Sequence, residues 1–198
     1  AEVTRRKEDM DLAFVLPDLE SLVAESLEGA ERVRRIVQNL REFSHMDRSE
    51  KRLFSVNQGL ESTLNIVWNE LKYKATVTKD YGGVPEVEGY PMQMNQVFMN
   101  ILVNAAQAIR ERGTISIRTY EEAGHVCVRI SDTGVGMPPE VQGRIFEPFY
   151  TTKDVGKGTG LGLNMAYRIV RDHGGDITVE SREGAGSTFT VRIPNAEA

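Results

Sequence analysis

Residues 114–132 read TISIRTYEEAGHVCVRISD, two stretches of alternating apolar and polar side chains on either side of a turn containing Gly124. Alternation with period two marks strands buried on one face, and a short glycine turn between them makes an antiparallel hairpin. A second pair, DITVESR at 176–182 and STFTVRIP at 187–194, closes in the same way around EGAG. TVTKDY at 76–81 and EVEG at 86–89 alternate as shorter strands. Helical periods stand apart from these. NQGLESTLNIVWNELKYKA at 57–75 puts Leu60, Leu64, Val67, Trp68 and Leu71 on one side. PMQMNQVFMNILVNAAQAIRERG at 91–113 opens with Pro91 at a helix start and closes on Gly113 as its expected C-cap. PPEVQGRIF at 138–146 reads as a short helix, and NMAYRIVRDHGG at 164–175 as an amphipathic one entered from a glycine run. Strands joined mostly by hairpins, with helices grouped apart, predict an α+β fold: a largely antiparallel sheet covered on one face by helices.

The composition narrows the function classes. The 198 residues carry a net charge of −5 and thus no basic footprint for nucleic acid or an anionic membrane. No apolar run reaches the ~18 residues of a membrane span, and the charged first residues are not a signal peptide. A single cysteine, Cys127, leaves no internal disulfide and reads as a small core residue or a strand-face thiol.

From Pro17 to about Met46 apolar residues recur at helical spacing, with Leu19, Val23, Ala30, Val33, Val37 and Leu40 flanked by Leu22, Leu27, Ile36 and Phe43. Ser26 is the polar gap. A helix near 45 Å long at about 1.5 Å per residue, apolar over so wide a stripe, predicts a helical partner: half of a hairpin or a dimerisation bundle. The alternative is a solitary helix lying on the following domain. The expected division is 1–48 for this helical region and 49–198 for the α+β domain.

Four short stretches carry chemistry. Asn100 and Asn104 are four apart on one helix face, with Gln107 a turn on. Asparagine is a poor helix former, so amides among apolar neighbours imply hydrogen bonding, to a metal or ligand or to a neighbouring loop that they pin. SDTGVGM ends a strand on Asp132, an acceptor-only carboxylate fit to receive an exocyclic amine, with Gly134 and Gly136 clearing space for a flat ring. FEPFYTTK sets Phe146 and Phe149 as aromatic anchors at the base of a loop with Thr151, Thr152 and Lys153 beyond. GKGTGLGL at 156–163 leads a glycine run straight into a helix, whose unpaired N–H groups seat phosphate.

In order and type these stretches resemble the ATP-binding domain of sensor histidine kinases, in the superfamily shared with DNA gyrase, a heat-shock chaperone family and the mismatch-repair ATPases. The asparagine helix resembles the family's N box, SDTGVGM and GKGTGLGL its first two glycine boxes, FEPFYTTK its phenylalanine box and GAGSTF the last, over about residues 54–194. GAERVRRIVQNLREFSHMD resembles the second helix of the family's dimerisation and phosphotransfer hairpin. The resemblance implies the Bergerat-type two-layer sandwich, a mostly antiparallel mixed sheet with helices on one face, preceded by a long N-terminal helix.

It also implies ATP and Mg²⁺ as cofactors. Asp132 would accept the adenine amine, Gly134, Gly136 and Met137 would lie along the base, and Asn104 would hold Mg²⁺. Asn100 and Lys153 would act in catalysis, and Gln107, Thr152, Lys153, Gly156, Lys157, Gly158, Thr159, Gly160, Leu161, Gly162 and Thr188 would complete the nucleotide site. Superfamily ATPases have a glutamate where this chain has Asn100. An amide cannot activate water, which favours a kinase. The implied partners are a phospho-accepting histidine helix of the same full-length protein or its dimer mate and a response-regulator receiver domain, without nucleic acid, in a cytoplasmic region of a homodimer. A noncatalytic ATP-sensing module and a superfamily ATPase are the alternatives.

The family's acceptor histidine lies on the first helix of the hairpin. His45, His125 and His173 do not match that position, so the chain reads as a fragment that begins after the acceptor, or as a degenerate kinase. His173, at a helix end, reads as a partly positive group facing the helix dipole.

Overall fold

The structure is a computed structural model, described here for residues 19, 22, 23, 25–27, 29, 30, 50–154 and 158–196. Two compact units divide the chain, residues 1–45 with 152–158 and residues 46–151 with 159–198. In the first, the described residues between 19 and 30 are helical, with Leu19, Leu22, Val23 and Leu27 exposed. Ser26 Oγ donates to Leu22 O at 2.7 Å, which gives the polar gap in the apolar stripe a local partner. The remainder of the predicted long helix, and His45 with it, lies outside the described residues.

The second unit runs β1 (Arg52–Phe54), α1 (Val56–Leu71), β2 (Ala75–Tyr81), β3 (Val87–Gly89), α2 (Pro91–Ala108), β4 (Gly113–Glu122), β5 (His125–Asp132), α3 (Pro139–Gln142), α4 (Gly162–Asp172), β6 (Asp176–Arg182) and β7 (Gly186–Pro194). Its five-stranded sheet has the order β2-β4-β5-β7-β6 and is antiparallel except where β2 runs parallel to β4; β1 and β3 pair separately. This is the expected α+β architecture. The β2–β4 connection passes through α2, as a parallel crossover must.

The alternating strands direct one set of side chains into the helical layer. Ile115, Ile117 and Thr119 of β4, Val126, Val128 and Ile130 of β5, and Phe189, Val191 and Ile193 of β7 are buried beneath α1, α2 and α4. The other face is polar, with Thr78 bonded to Ser116 and ion pairs joining Arg118 to Asp80 and Arg129 to Glu180. Cys127 is the strand-face alternative: out of phase with the core residues, it is buried on the outer face, in register between Tyr120 and Arg192. Burial pushes its thiol pKa up.

Two helix expectations are corrected. The buried face of α1 is Val56, Leu60, Thr63, Leu64, Val67 and Leu71; Trp68, one step of about 100° past Val67, is 49% exposed. Gly113 does not cap α2. The helix ends at Ala108, Ile109 turns extended and is buried, and Gly113 opens β4 where a Cβ would come within 3.1 Å of Ile109. Pro91 stands in the first turn as predicted.

His173 is not a charged cap. Its Nε2 accepts the backbone N–H of Tyr90 at 3.0 Å and its Nδ1 donates to Ile169 O at 2.7 Å, so the ring ties the start of α2 to the end of α4. Among the described residues, no helix is long and apolar enough to cross a membrane.

Candidate functional site

Asp132 ends β5 in phase with Val128 and Ile130, so the alternation that builds the core also directs its carboxylate inward. It is 7% exposed, and its Oδ1 accepts the N–H of Gly134 at 2.7 Å. Burial raises its pKa above the ordinary carboxylate value, against a downward pull from the backbone N–H groups of Gly134 and Ser187. A buried carboxylate held by backbone donors is oriented and acceptor-only.

The turn after Asp132 lies between two elements. On one side Val135 N donates to Ala108 O at 3.0 Å, and a Cβ on Gly134 would lie 2.7 Å from Ala108. That contact brings the end of the asparagine helix to the aspartate turn. On the other side the β6–β7 hairpin closes in: Gly184 N donates to Val135 O at 2.7 Å and Met137 N to Ser181 Oγ at 2.8 Å. Gln142 Nε2 then reaches both Met137 O and Ser181 O at 2.9 Å. Gly136 has φ +65°, and a Cβ there would collide with Arg182 O; a Cβ on Gly186 would collide with Asp132 O. These glycines are required by close packing of backbone on backbone.

On α2, Asn100 and Asn104 flank the buried stripe and are half-buried, while Gln107 is exposed. Asn100 Nδ2 donates to Gly162 O at 2.9 Å, and its Oδ1 accepts from Gln96 Nε2 at 3.4 Å. The amide therefore pins the first turn of α4, the loop-holding role that the sequence left open. Gly160 has φ +65°, Thr159 Oγ1 accepts Leu161 N at 3.4 Å, and the N-cap residue Leu161 offers no side-chain cap. First-turn N–H groups of a helix without a side-chain cap suit an anion.

The phenylalanine stretch is only half as expected. Phe146 packs on the core and against Tyr167, with ring centroids 5.3 Å apart. Phe149 is no anchor: it takes φ +66° and is 71% exposed, and the buried residue here is Ile145. Thr188 is also misplaced by sequence reasoning. It stands opposite Ser131, their hydroxyls 2.9 Å apart, on the sheet face away from Asp132, and the buried neighbour of Asp132 is Ser187. Counting back by twos from the core residue Phe189 would have found it. Thr152 to Asp154 and Gly158 belong to the other unit, where Thr152 and Lys153 are exposed; Gly156 and Lys157 lie outside the described residues.

A surface cavity of about 360 Å³ lies elsewhere, at the far ends of β5 and α4, lined by His125, Arg171, Asp176, Glu122 and Arg192. Its arginines pair with its own carboxylates, Arg171 with Asp176 at 3.5 Å and Arg192 with Glu122 at 3.4 Å. That leaves little uncompensated charge to recruit an ionic ligand.

The sequence profile of the histidine kinase-, DNA gyrase B-, and HSP90-like ATPases matches residues 89–197, which hold Asp132, both helix asparagines and the start of α4. The chain belongs to this family. Within it, the chain is 34% identical over 172 residues to the sensor histidine kinase ZraS of Escherichia coli strain K12, covering 83% of this chain and 36% of ZraS. It is 44% identical over 117 residues to the sensor kinase CckA of Brucella abortus strain 2308, covering 52% of this chain and 12% of CckA. The nucleotide-free catalytic domain of the histidine kinase ThkA superposes with a TM-score of 0.66 at 32% identity, over 74% of this chain and 96% of that one. The chain thus spans little more than a third, at most, of these curated relatives. The part shared with them includes the histidine-kinase-type ATP-binding domain.

Proposed function

We propose that this domain holds ATP between the Asp132 turn and the first turn of α4, and that it serves a two-component sensor histidine kinase by presenting the γ-phosphoryl group to a histidine. The observation that carries the reading is the buried, backbone-oriented carboxylate of Asp132 beside the end of the asparagine helix. An acceptor-only group there receives the exocyclic amine of adenine and rejects the carbonyl that guanine places at the same point. Gly134, Gly136 and Met137 form the turn along which the base lies. The N–H groups around Gly160, Leu161 and Gly162 face the phosphates, and Asn100 keeps that helix end in place. Ser187 joins the site in place of Thr188. Lys153 and Lys157 offer positive charge for the phosphates on the strength of the motif alone.

Among the described residues no group of three His, Cys, Asp or Glu offers a metal site. Mg²⁺ binds hard oxygens, keeps several waters and draws ligands from phosphates, so the amide oxygen of Asn104 with ATP's own oxygens fits it. When bound, the ion neutralises charge on the phosphates. Asn104→Ala is expected to remove the strengthening of ATP binding by Mg²⁺ while leaving adenosine affinity within about twofold. Titrations with and without Mg²⁺ check this, and an undiminished Mg²⁺ effect assigns the ligand elsewhere.

The division at 48/49, the phospho-accepting histidine helix, the receiver-domain partner, homodimerisation and a cytoplasmic location belong to the same proposal. Asn100 leaves no carboxylate to activate water at that point, so hydrolysis is slow, and transfer needs an acceptor held in line with the γ-phosphoryl. Of the described histidines, His125 opens β5 at the end remote from Asp132, and both ring nitrogens of His173 are engaged. Incubation with γ-labelled ATP is expected to leave the chain alone unlabelled and to label the histidine of an added dimerisation hairpin. Acid-labile label on His45, His125 or His173 would contradict the proposal.

A further inference from the structure

The stretch GLGLN at 160–164 places Asn164 in the first turn of α4, three residues after the N-cap residue Leu161. Asn164 Nδ2 donates sideways to Phe146 O at 2.7 Å, a carbonyl eighteen residues earlier in the chain. One turn along the same helix face, Tyr167 lays its ring against that of Phe146 at 35°. Helix α4 therefore grips one residue twice, by its carbonyl and by its ring.

The backbone just beyond is stitched to itself and to the glycine run. Arg144 pairs with Glu147 at 3.0 Å and lies over the ring of Tyr150 at 4.3 Å. Phe149 N donates to Gly160 O at 3.0 Å, with both residues at positive φ. The segment that leaves the unit after Thr151 and the one that re-enters at Thr159 thus spring from a closed base, and the base is fixed to α4 through Phe146. A left-handed backbone is unfavourable for phenylalanine, so this geometry persists only where neighbours enforce it.

We propose that Asn164 is a positioning residue: through Phe146 it holds the loop base against the end of α4 that faces the phosphates, and so sets the phosphate-dependent part of ATP affinity. The inference rests on the functional reading above. Asn164 acts through the Phe146 carbonyl that its amide holds. Asn164→Ala removes the donor. Asn164→Asp keeps the shape and replaces the donor by an acceptor facing a carbonyl, while Tyr167→Phe keeps the ring and serves as the control.

The test reads amide exchange of residues 144–150 without nucleotide, the affinities for ATP and adenosine, and the melting temperature. Losing one hydrogen bond of ordinary strength corresponds to about a 3- to 10-fold change. Both Asn164 variants are expected to show that acceleration of exchange at 144–150 and that loss of ATP affinity, with adenosine affinity and exchange in β4 and β5 unchanged, and Tyr167→Phe to match the wild type. Unchanged exchange and an unchanged ATP-to-adenosine ratio in Asn164→Asp, with wild-type ATP binding intact, overturn the positioning role alone. A proportional fall of both affinities together with the melting temperature overturns it in favour of a purely structural role. Wild-type protein that binds no ATP overturns the functional reading and this inference with it.

Discussion

Asp132→Asn is expected to lower ATP affinity about 10- to 150-fold, the equivalent of the roughly 1.5–3 kcal/mol carried by a hydrogen bond to a charged group, without weakening the fold. The amide oxygen remains as an acceptor for the Gly134 N–H that fixes the turn. What is lost is the charge and the acceptor-only character that selects an amine. The stability half of the prediction follows from the raised carboxyl pKa. An acid whose pKa rises on folding binds more protons folded than unfolded between its two pKa values. Stability therefore falls as pH rises from the ordinary aspartate value of 3.8 through the folded value, and the cost is fully present above it. At neutral pH the asparagine variant escapes that cost and should melt at or above the wild-type temperature. Calorimetric titration and thermal melts at pH 7 check both halves; lost binding accompanied by a lower melting temperature would show that Asp132 is mainly structural.

Gly136→Ala is expected to cost more than about 4 kcal/mol, a size reserved for a few mechanisms of which backbone collision at positive φ is one. The new Cβ would strike Arg182 O and lie 2.7 Å from Arg182 C and 3.1 Å from Gly186 O, all of them hairpin backbone with no side-chain rotamer to yield. Moving the hairpin would disturb Gly186, which packs on the Asp132 carbonyl, so nucleotide binding should fail with the fold. Gly184→Ala separates conformation from collision. Its φ of +77° is as unfavourable, but a Cβ there meets nothing within 4 Å, so the cost should stay near the ~1–2 kcal/mol of a left-handed alanine. Urea unfolding of the two variants measures the difference, and equal costs would contradict the packing described for the turn.

The sheet was legible because its strands are half-buried and mostly antiparallel: each inward residue has a polar neighbour, and each hairpin has its glycine. The parallel pairing of β2 with β4 left no such trace, since a crossover through α2 fixes it. Trp68 and Gly113 show where local pattern gives way to packing. Thr63, hydrogen-bonded to Gly59 O, fills the buried face of α1 in place of the tryptophan. The end of α2 is set by Ala108 meeting Val135, not by the nearest glycine. Asp132 and the helix asparagines stood out as candidates because charge and amides are conspicuous beside apolar residues. Thr188 was picked over Ser187, the buried neighbour of Asp132, because the glycine motif was read as a string without its strand phase. The exposure of Phe149 depends on a backbone angle that a phenylalanine does not announce, and the grip of Asn164 on Phe146 spans eighteen residues of chain that no periodicity connects.

The central claim is that the Asp132 turn recognises adenine. Titration of the wild-type chain with ATP and with GTP at equal Mg²⁺ tests it most directly, because the two differ at the group that Asp132 would meet. The account predicts one saturable ATP site and GTP binding at least about tenfold weaker, the least expected from one charge-assisted hydrogen bond. Equal affinity for the two nucleotides, or no binding of either, would contradict it.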